Sequence, residues 1–235
     1  MTARQFVLDL GYRPALDRDD FLVSSCNGEA ANWIDRWPEW PAPARGLALV
    51  GPAGCGKTHL GAVWRARSGA ALVIAADMTV EGVPDALGDA RHALVDDLEQ
   101  IGQEQALLHL YNTVAERSGS VLILSRVAPS RLPIALADLA SRLATLPVVT
   151  IGVPDEALLA GVLVKHFTDR QVTVREDVVA YLVARMERSF DAAYRLVDRL
   201  DRMALAERGK VTTILAGRAL AEDENDTEHQ IDQGD

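Results

Sequence analysis

Ala48-Leu49-Val50-Gly51-Pro52-Ala53-Gly54-Cys55-Gly56-Lys57-Thr58-His59-Leu60 decides how the rest of the chain is read, because it fits G-x-x-x-x-G-K-[ST] without deviation. Glycines at 51, 54 and 56 allow a tight curl in which successive N–H groups point inward and form a concavity for an anion. A helix starting near Gly56 adds the positive end of its dipole. In such a loop Lys57 reaches the β/γ-phosphates and the Thr58 hydroxyl ligates Mg²⁺. Gly51, Pro52, Ala53, Gly54, Cys55, Gly56, Lys57, Thr58 and His59 are therefore the candidate nucleotide-binding residues, with ADP or ATP as the cofactor. The flanks agree. Gly46 to Val50 reads as a short buried strand, and Leu60, Val63 and Trp64 recur at helical spacing. Lysine occurs only at 57, 165 and 210 among 24 basic residues, so arginine is this chain's usual cation, yet the loop carries the compact ammonium that suits a phosphate oxygen.

The chain has 235 residues, 49% of them hydrophobic, enough for one large domain or two small ones around a substantial core. Its net charge is −10, but Glu222, Asp223, Glu224, Asp226, Glu228, Asp232 and Asp235 supply seven negatives with no lysine or arginine among them. Setting these seven aside leaves −3. A nearly balanced body argues against DNA binding through a broad basic face, and residues 221–235 are expected to form an acidic, disordered tail. Two cysteines, Cys26 and Cys55, make no disulfide framework and favour a reducing compartment. The five histidines show no ligand spacing. With no segment near the ~20 apolar residues that span a bilayer, a cytoplasmic protein without a membrane partner is expected.

Along the chain, Asn27 opens a helical run that ends at Trp37, Pro38, Trp40, Pro41 and Pro43. This run, with Asp20 to Val23 before it, is the segment expected beside an adenine. Ala71 to Ala75 reads as a strand buried on both faces of a parallel sheet. Ala93-Leu94-Val95-Asp96-Asp97 is an apolar run ending in two carboxylates. At the C-terminal end of a parallel strand these lie beside the phosphate loop, so Asp96 is the candidate metal ligand with Thr58, and Asp97 the candidate catalytic group that polarises water. Gln103 to Arg117 forms an amphipathic helix with Leu107, Leu108, Leu110, Tyr111 and Val114 inward. Ser120 to Ser125 is the next strand, its terminal hydroxyl expected near the γ-phosphate. A helix over Leu136 to Leu143 and a strand over Pro147 to Ile151 follow. Strand and helix alternate, giving an α/β fold with a doubly wound, parallel, five-stranded sheet. From Pro154 only helices follow, about 155–171, 175–186, 189–207 and 212–221. Ser189 is placed to cap the third of them, with Arg188 just before it, where it could turn toward a nucleotide.

The order of phosphate loop, Asp-Asp strand, strand ending in Ser125, Asp138-Leu-Ala-Ser-Arg142-Leu and helical segment with Arg188 resembles an AAA+ ATPase of the bacterial replication initiator (DnaA) class, over residues 19–220. That resemblance implies a P-loop NTPase with a C-terminal helical lid, divided as 19–153 for the nucleotide-binding part and 154–220 for the lid. It also implies that Arg142 is an arginine finger and Arg188 the lid's nucleotide sensor. A DNA-reading C-terminal domain is not expected, and the 17 residues from 76 to 92 leave little room for a DNA-gripping insert. The chain is therefore most similar to the truncated, Hda-type regulators of the initiator, and sequence-specific DNA binding is not expected. After Ser125 it departs from the family, reading Arg126-Val127-Ala128-Pro129 where a small residue and an acid usually precede a Pro-Pro pair. That departure implies weak hydrolysis by this protein alone.

Within residues 1–18, Gln5-Phe6-Val7-Leu8-Asp9-Leu10 resembles the peptide by which proteins dock on the DNA polymerase III sliding clamp. Gln5 would hydrogen-bond at a small pocket while Leu8 and Leu10 enter an apolar one; the same alternation also suits a short core strand. The leading expectation is a regulator that holds ADP or ATP with Mg²⁺, docks on the clamp and offers Arg142 to ATP bound by the initiator. The alternatives are a self-assembling ATPase of the helicase-loader type, in which Arg142 completes a neighbouring copy, and a clamp-binding adaptor whose nucleotide is structural. A homodimer is compatible with each.

Overall fold

The computed structural model describes residues 22–40, 46–207 and 209–231, with side chains described as far as Asp223. The candidate clamp-docking residues Gln5, Leu8 and Leu10 lie outside the described residues. Two compact units are present, one built on Ser25–Gly152 and the other on the chain from Val153 onward.

The first unit is a parallel sheet of β1 (Gly46–Val50), β2 (Ala71–Ile74), β3 (Ala93–Asp96), β4 (Val121–Ser125) and β5 (Val148–Thr150), in the order β2-β3-β4-β1-β5. Every residue of β1 and β4 is buried, as their unbroken apolar runs require of central parallel strands. The strand at 71–74 differs from expectation. It is an edge strand, with Leu72 43% and Ile74 36% exposed. An apolar run identifies a strand, but its neighbours in the sheet decide whether both faces are covered.

Helices cover the sheet on two sides. Ala48, Val50, Val95 and Ile123 face a core shared with α3 (Val83–Leu87), α4 (Glu104–Glu116) and α5 (Ala137–Ala144). On the opposite face α2 (Lys57–Ser68) lies so close that a methyl group on Gly61 would stand 3.0 Å from the Leu124 side chain and 3.3 Å from that of Leu94. α2 ends at Gly69, whose φ of 67° lets its N–H reach the Arg65 carbonyl at 2.9 Å. α1 (Gly28–Arg36) is tied to α2 by Arg67, which donates to the Asp35 carbonyl at 3.1 Å and the Trp37 carbonyl at 2.7 Å. The fully buried Trp64 of α2 stacks on Trp40 at 5.4 Å and meets Trp37 edge-on at 6.0 Å. His92 completes this aromatic cluster, its Nδ1 accepting the Ser120 N–H at 3.0 Å.

The second unit contains α6 (Glu156–Asp169), α7 (Glu176–Val183), α8 (Phe190–Glu207) and α9 (Thr213–Ile231) around Leu163, Phe167, Leu182, Leu196, Leu200 and Leu215. Asp155 caps α6 by accepting the Leu158 N–H at 2.8 Å, and Ser189 caps α8 by accepting the Ala192 N–H at 3.1 Å. The last helix corrects the expected tail from residue 221: it runs on to Ile231. Asp223, read from composition as a solvated acid, is buried and paired with Arg195 at 3.3 Å and Arg199 at 3.7 Å. Two cations on the facing helix supply what an acidic run lacks alone.

Candidate functional site

The loop from Gly51 to Gly56 joins β1 to α2, and its backbone does what side chains could not. Gly54 and Gly56 have φ of 66° and 96°, in the left-handed region where a Cβ is penalised. A Cβ on Gly51 would lie 2.5 Å from the Ile151 carbonyl oxygen and 2.7 Å from Cys55 Sγ. Gly51 is also hydrogen-bonded from its N–H to the Ser125 carbonyl at 3.2 Å, so the loop starts pinned to the end of β4. Pro52, Ala53, Thr58 and His59 are exposed, and Gly54 and Gly56 half-exposed. Cys55 is buried, and burial pushes its thiol up despite the pull of the nearby Lys57 ammonium. It is therefore an inert, packed sulfur.

Lys57 opens α2 and is 9% exposed. Its ammonium donates to the Gly51 carbonyl at 2.7 Å and the Pro52 carbonyl at 2.8 Å, which holds a buried charge within the loop. At the end of β3, Asp96 accepts the Asp97 N–H at 2.9 Å. Burial raises the Asp96 carboxyl above its ordinary value, Asp97 and Glu99 adding to the rise and the Asp97 N–H and Lys57 opposing it. Asp97 takes φ 51°, a conformation Asp tolerates better than most residues, and so turns the chain sharply after the strand. Asp96, Asp97 and Ser125 thus stand at the C-terminal ends of adjacent strands, next to the phosphate loop, where an open parallel sheet holds its ligands.

Ser125 is fully buried, and its hydroxyl lies 2.9 Å from Glu99 Oε2 and 2.7 Å from the Val127 carbonyl oxygen. Glu99 also accepts the Arg126 N–H at 3.0 Å and pairs with the Arg126 guanidinium at 3.3 Å. Burial alone would raise the Glu99 carboxyl, but these donors and the guanidinium together hold it below its ordinary value. Nothing in the sequence singles out Glu99; its partners lie 26 and 27 residues away.

Arg142 is half-exposed in the last turn of α5, its guanidinium 5.7 Å from the centre of the Tyr111 ring on α4. Burial pushes the Tyr111 phenol up to about 12, with Arg142 opposing. In the helical unit, Arg188 is exposed and bonds Glu156 Oε1 at 2.6 Å.

The donor set fits the phosphates of a nucleotide: a glycine concavity that a methyl group would fill, a helix N-terminus and a lysine at its mouth, with two carboxylates at the end of β3, one strand beyond β4, suited to a hard cation. With its five-stranded parallel sheet and a four-helix second unit among the described residues, the protein has the fold of P-loop NTPases of the AAA+ type.

Comparison with known proteins narrows that class. Residues 155–215 match the family model described as "Hda, lid domain". Domain III of the Thermotoga maritima replication initiation protein DnaA superposes with a TM-score of 0.76 at 18% identity, over 89% of this chain and 97% of that one. Initiator DnaA bound to AMPPCP and single-stranded DNA gives 0.63 at 17% identity, over 80% and 66%. The Thermotoga maritima RuvB branch migration motor gives 0.62 at 13%, over 75% and 61%. The lid sequence is thus similar to that of Hda, and the fold is that of the AAA+ domain of DnaA. Among the described residues no helix is long and apolar enough to cross a membrane.

Proposed function

We propose that this protein is a cytoplasmic regulator of replication initiation that binds ADP or ATP and uses Arg142 on a partner's triphosphate. Gly51 to His59 would hold the phosphates, and Thr58 and Asp96 would hold Mg²⁺, which screens phosphate charge when bound. Asp97 is the candidate for orienting water. The similar DnaA structure that carries AMPPCP supports the nucleotide, and the lid match supports the regulatory role.

The observation that carries the reading is Arg142: a half-exposed guanidinium at the end of a helix, resting on an aromatic face and paired with no carboxylate among the described residues. Offered to ATP bound by the initiator, an arginine stabilises charge growing on the equatorial phosphate oxygens. For GTPase-activating proteins that effect is worth ~10³–10⁵ in rate. The segment Gln5 to Leu10 would bring the protein to the sliding clamp on DNA, and a second copy of the chain could share the assembly.

The experiment measures hydrolysis of initiator-bound ATP with clamp and DNA present. Arg142→Ala should abolish the stimulation, and Arg142→Lys, which keeps the cation but loses the planar fork, should restore little of it. Equal stimulation by wild type and Arg142→Ala refutes the mechanism. Clamp docking is checked by pull-down with Gln5→Ala/Leu8→Ala, for which capture should be lost.

A further inference from the structure

Glu99 follows the Asp96-Asp97 pair in a 3₁₀ turn, Leu98–Gln100, and its carboxylate reaches the end of β4. One oxygen lies within hydrogen-bonding distance of both the Ser125 hydroxyl at 2.9 Å and the Arg126 N–H at 3.0 Å. The other faces Arg126 Nε at 3.3 Å. A serine hydroxyl has one proton to give. Both acceptors in reach of it, Glu99 Oε2 and the Val127 carbonyl oxygen, belong to the protein's own frame, while the hydroxyl itself receives the Val127 N–H at 3.2 Å. Ser125 nevertheless stands beside the phosphate loop, since its carbonyl accepts the Gly51 N–H. Arg126 is more than half exposed at the same strand end, drawn toward Glu99.

We propose that Glu99 is a specificity-determining residue of the nucleotide site: by engaging the Ser125 hydroxyl and the Arg126 guanidinium it keeps both from a third phosphate, so diphosphate and triphosphate are accepted alike. This inference rests on the nucleotide-binding reading above. Ser125 on this account fixes the strand end and makes no contact that tells ATP from ADP.

The test titrates fluorescently labelled ADP and ATP, with Mg²⁺, into wild type, Ser125→Ala, Glu99→Ala and the double variant. Wild type should bind the two within about threefold, and Ser125→Ala alone should leave their ratio within about twofold. Glu99→Ala, releasing the guanidinium and leaving the Ser125 hydroxyl only the Val127 carbonyl as acceptor, should raise the preference for ATP roughly tenfold, the size of one hydrogen bond to a charged group. The double variant should return part of that gain. A loss of ATP preference in Ser125→Ala alone overturns the proposal, and so does an unchanged ratio in Glu99→Ala. Should Glu99→Ala fail to fold, Glu99→Gln keeps an oxygen for Ser125 and removes the charge that holds Arg126, and the Ser125→Ala result stands by itself. Wild type that binds neither nucleotide overturns the nucleotide reading and this inference together, a failure visible without any variant.

Discussion

Gly51→Ala separates the shape of the phosphate loop from its charge. The added methyl would stand 2.5 Å from the Ile151 carbonyl oxygen and 2.7 Å from Cys55 Sγ, both well inside van der Waals contact. Neither neighbour yields freely. Ile151 is held by its N–H to the Val50 carbonyl at 2.7 Å, and the next residue by the Gly152 N–H to the Cys26 carbonyl at 2.9 Å. Overpacking of this kind costs about 1–3 kcal/mol. At about 2–4 °C per kcal/mol for a chain of this size, Tm should fall by roughly 2–12 °C. Because the loop itself must move to admit the methyl, affinity for labelled ADP should fall more than tenfold. Adding Cys55→Ala removes the sulfur contact but leaves the carbonyl contact, so the double variant should recover under half of the lost Tm. Thermal melts and nucleotide titration on the same samples decide the matter. Wild-type Tm together with wild-type affinity in Gly51→Ala would refute the claim that this glycine is required by close approach.

Two further predictions concern the aromatic cluster behind α2. Trp64→Ala should destabilise by about 3–5 kcal/mol, the cost of a large cavity. Trp64→Phe should cost clearly less, because the indole N–H it removes has no partner among the described residues; urea melts of both variants check this. His92 is held neutral below its ordinary value of 6.5, first by burial and then by Arg91. With a lowered folded pKa, the unfolded chain takes up the proton first. The stability His92 contributes is therefore complete above pH 6.5 and is lost as pH falls through the folded value. His92→Gln, which keeps an acceptor for the Ser120 N–H, should flatten the decline in Tm between neutral and mildly acidic pH; an unchanged slope refutes the assignment.

How much of this was legible in the chain depends on how far each cause reaches. The phosphate loop could be read directly because its demands are local: positive φ at 54 and 56, close approach at 51 and a lysine at the helix start each select one residue type. The alternation of strands and helices was legible for the same reason, and the five-stranded parallel sheet follows it. The exposure of Leu72 and Ile74 was not, since strand order is set by crossovers that composition does not encode. Asp223 looked like tail because its two arginines sit on another helix. Glu99 looked like any acid after a strand; only folding brings Ser125 and Arg126 to it.

Arg142 raises a different question, whether its seat on Tyr111 bars it from a partner. A cation over an aromatic ring at an exposed site is worth about 0.5–1 kcal/mol. Leaving that seat would then slow a reaction by no more than about fivefold, since roughly 1.4 kcal/mol is a factor of ten. The arginine effect under discussion is ~10³–10⁵, or about 4–7 kcal/mol. The ring is therefore too weak a hold to act as a lock. On the proposed function its use would be to limit the rotamers of a long side chain before a partner arrives, and so to reduce the entropy lost when the guanidinium is fixed on a phosphate. The Tyr111 hydroxyl, buried without a partner among the described residues, contributes nothing to that task. On the proposed function the aromatic face is the part that matters, and the gap of several kcal/mol between seat and reward would let Arg142 act outside its own chain.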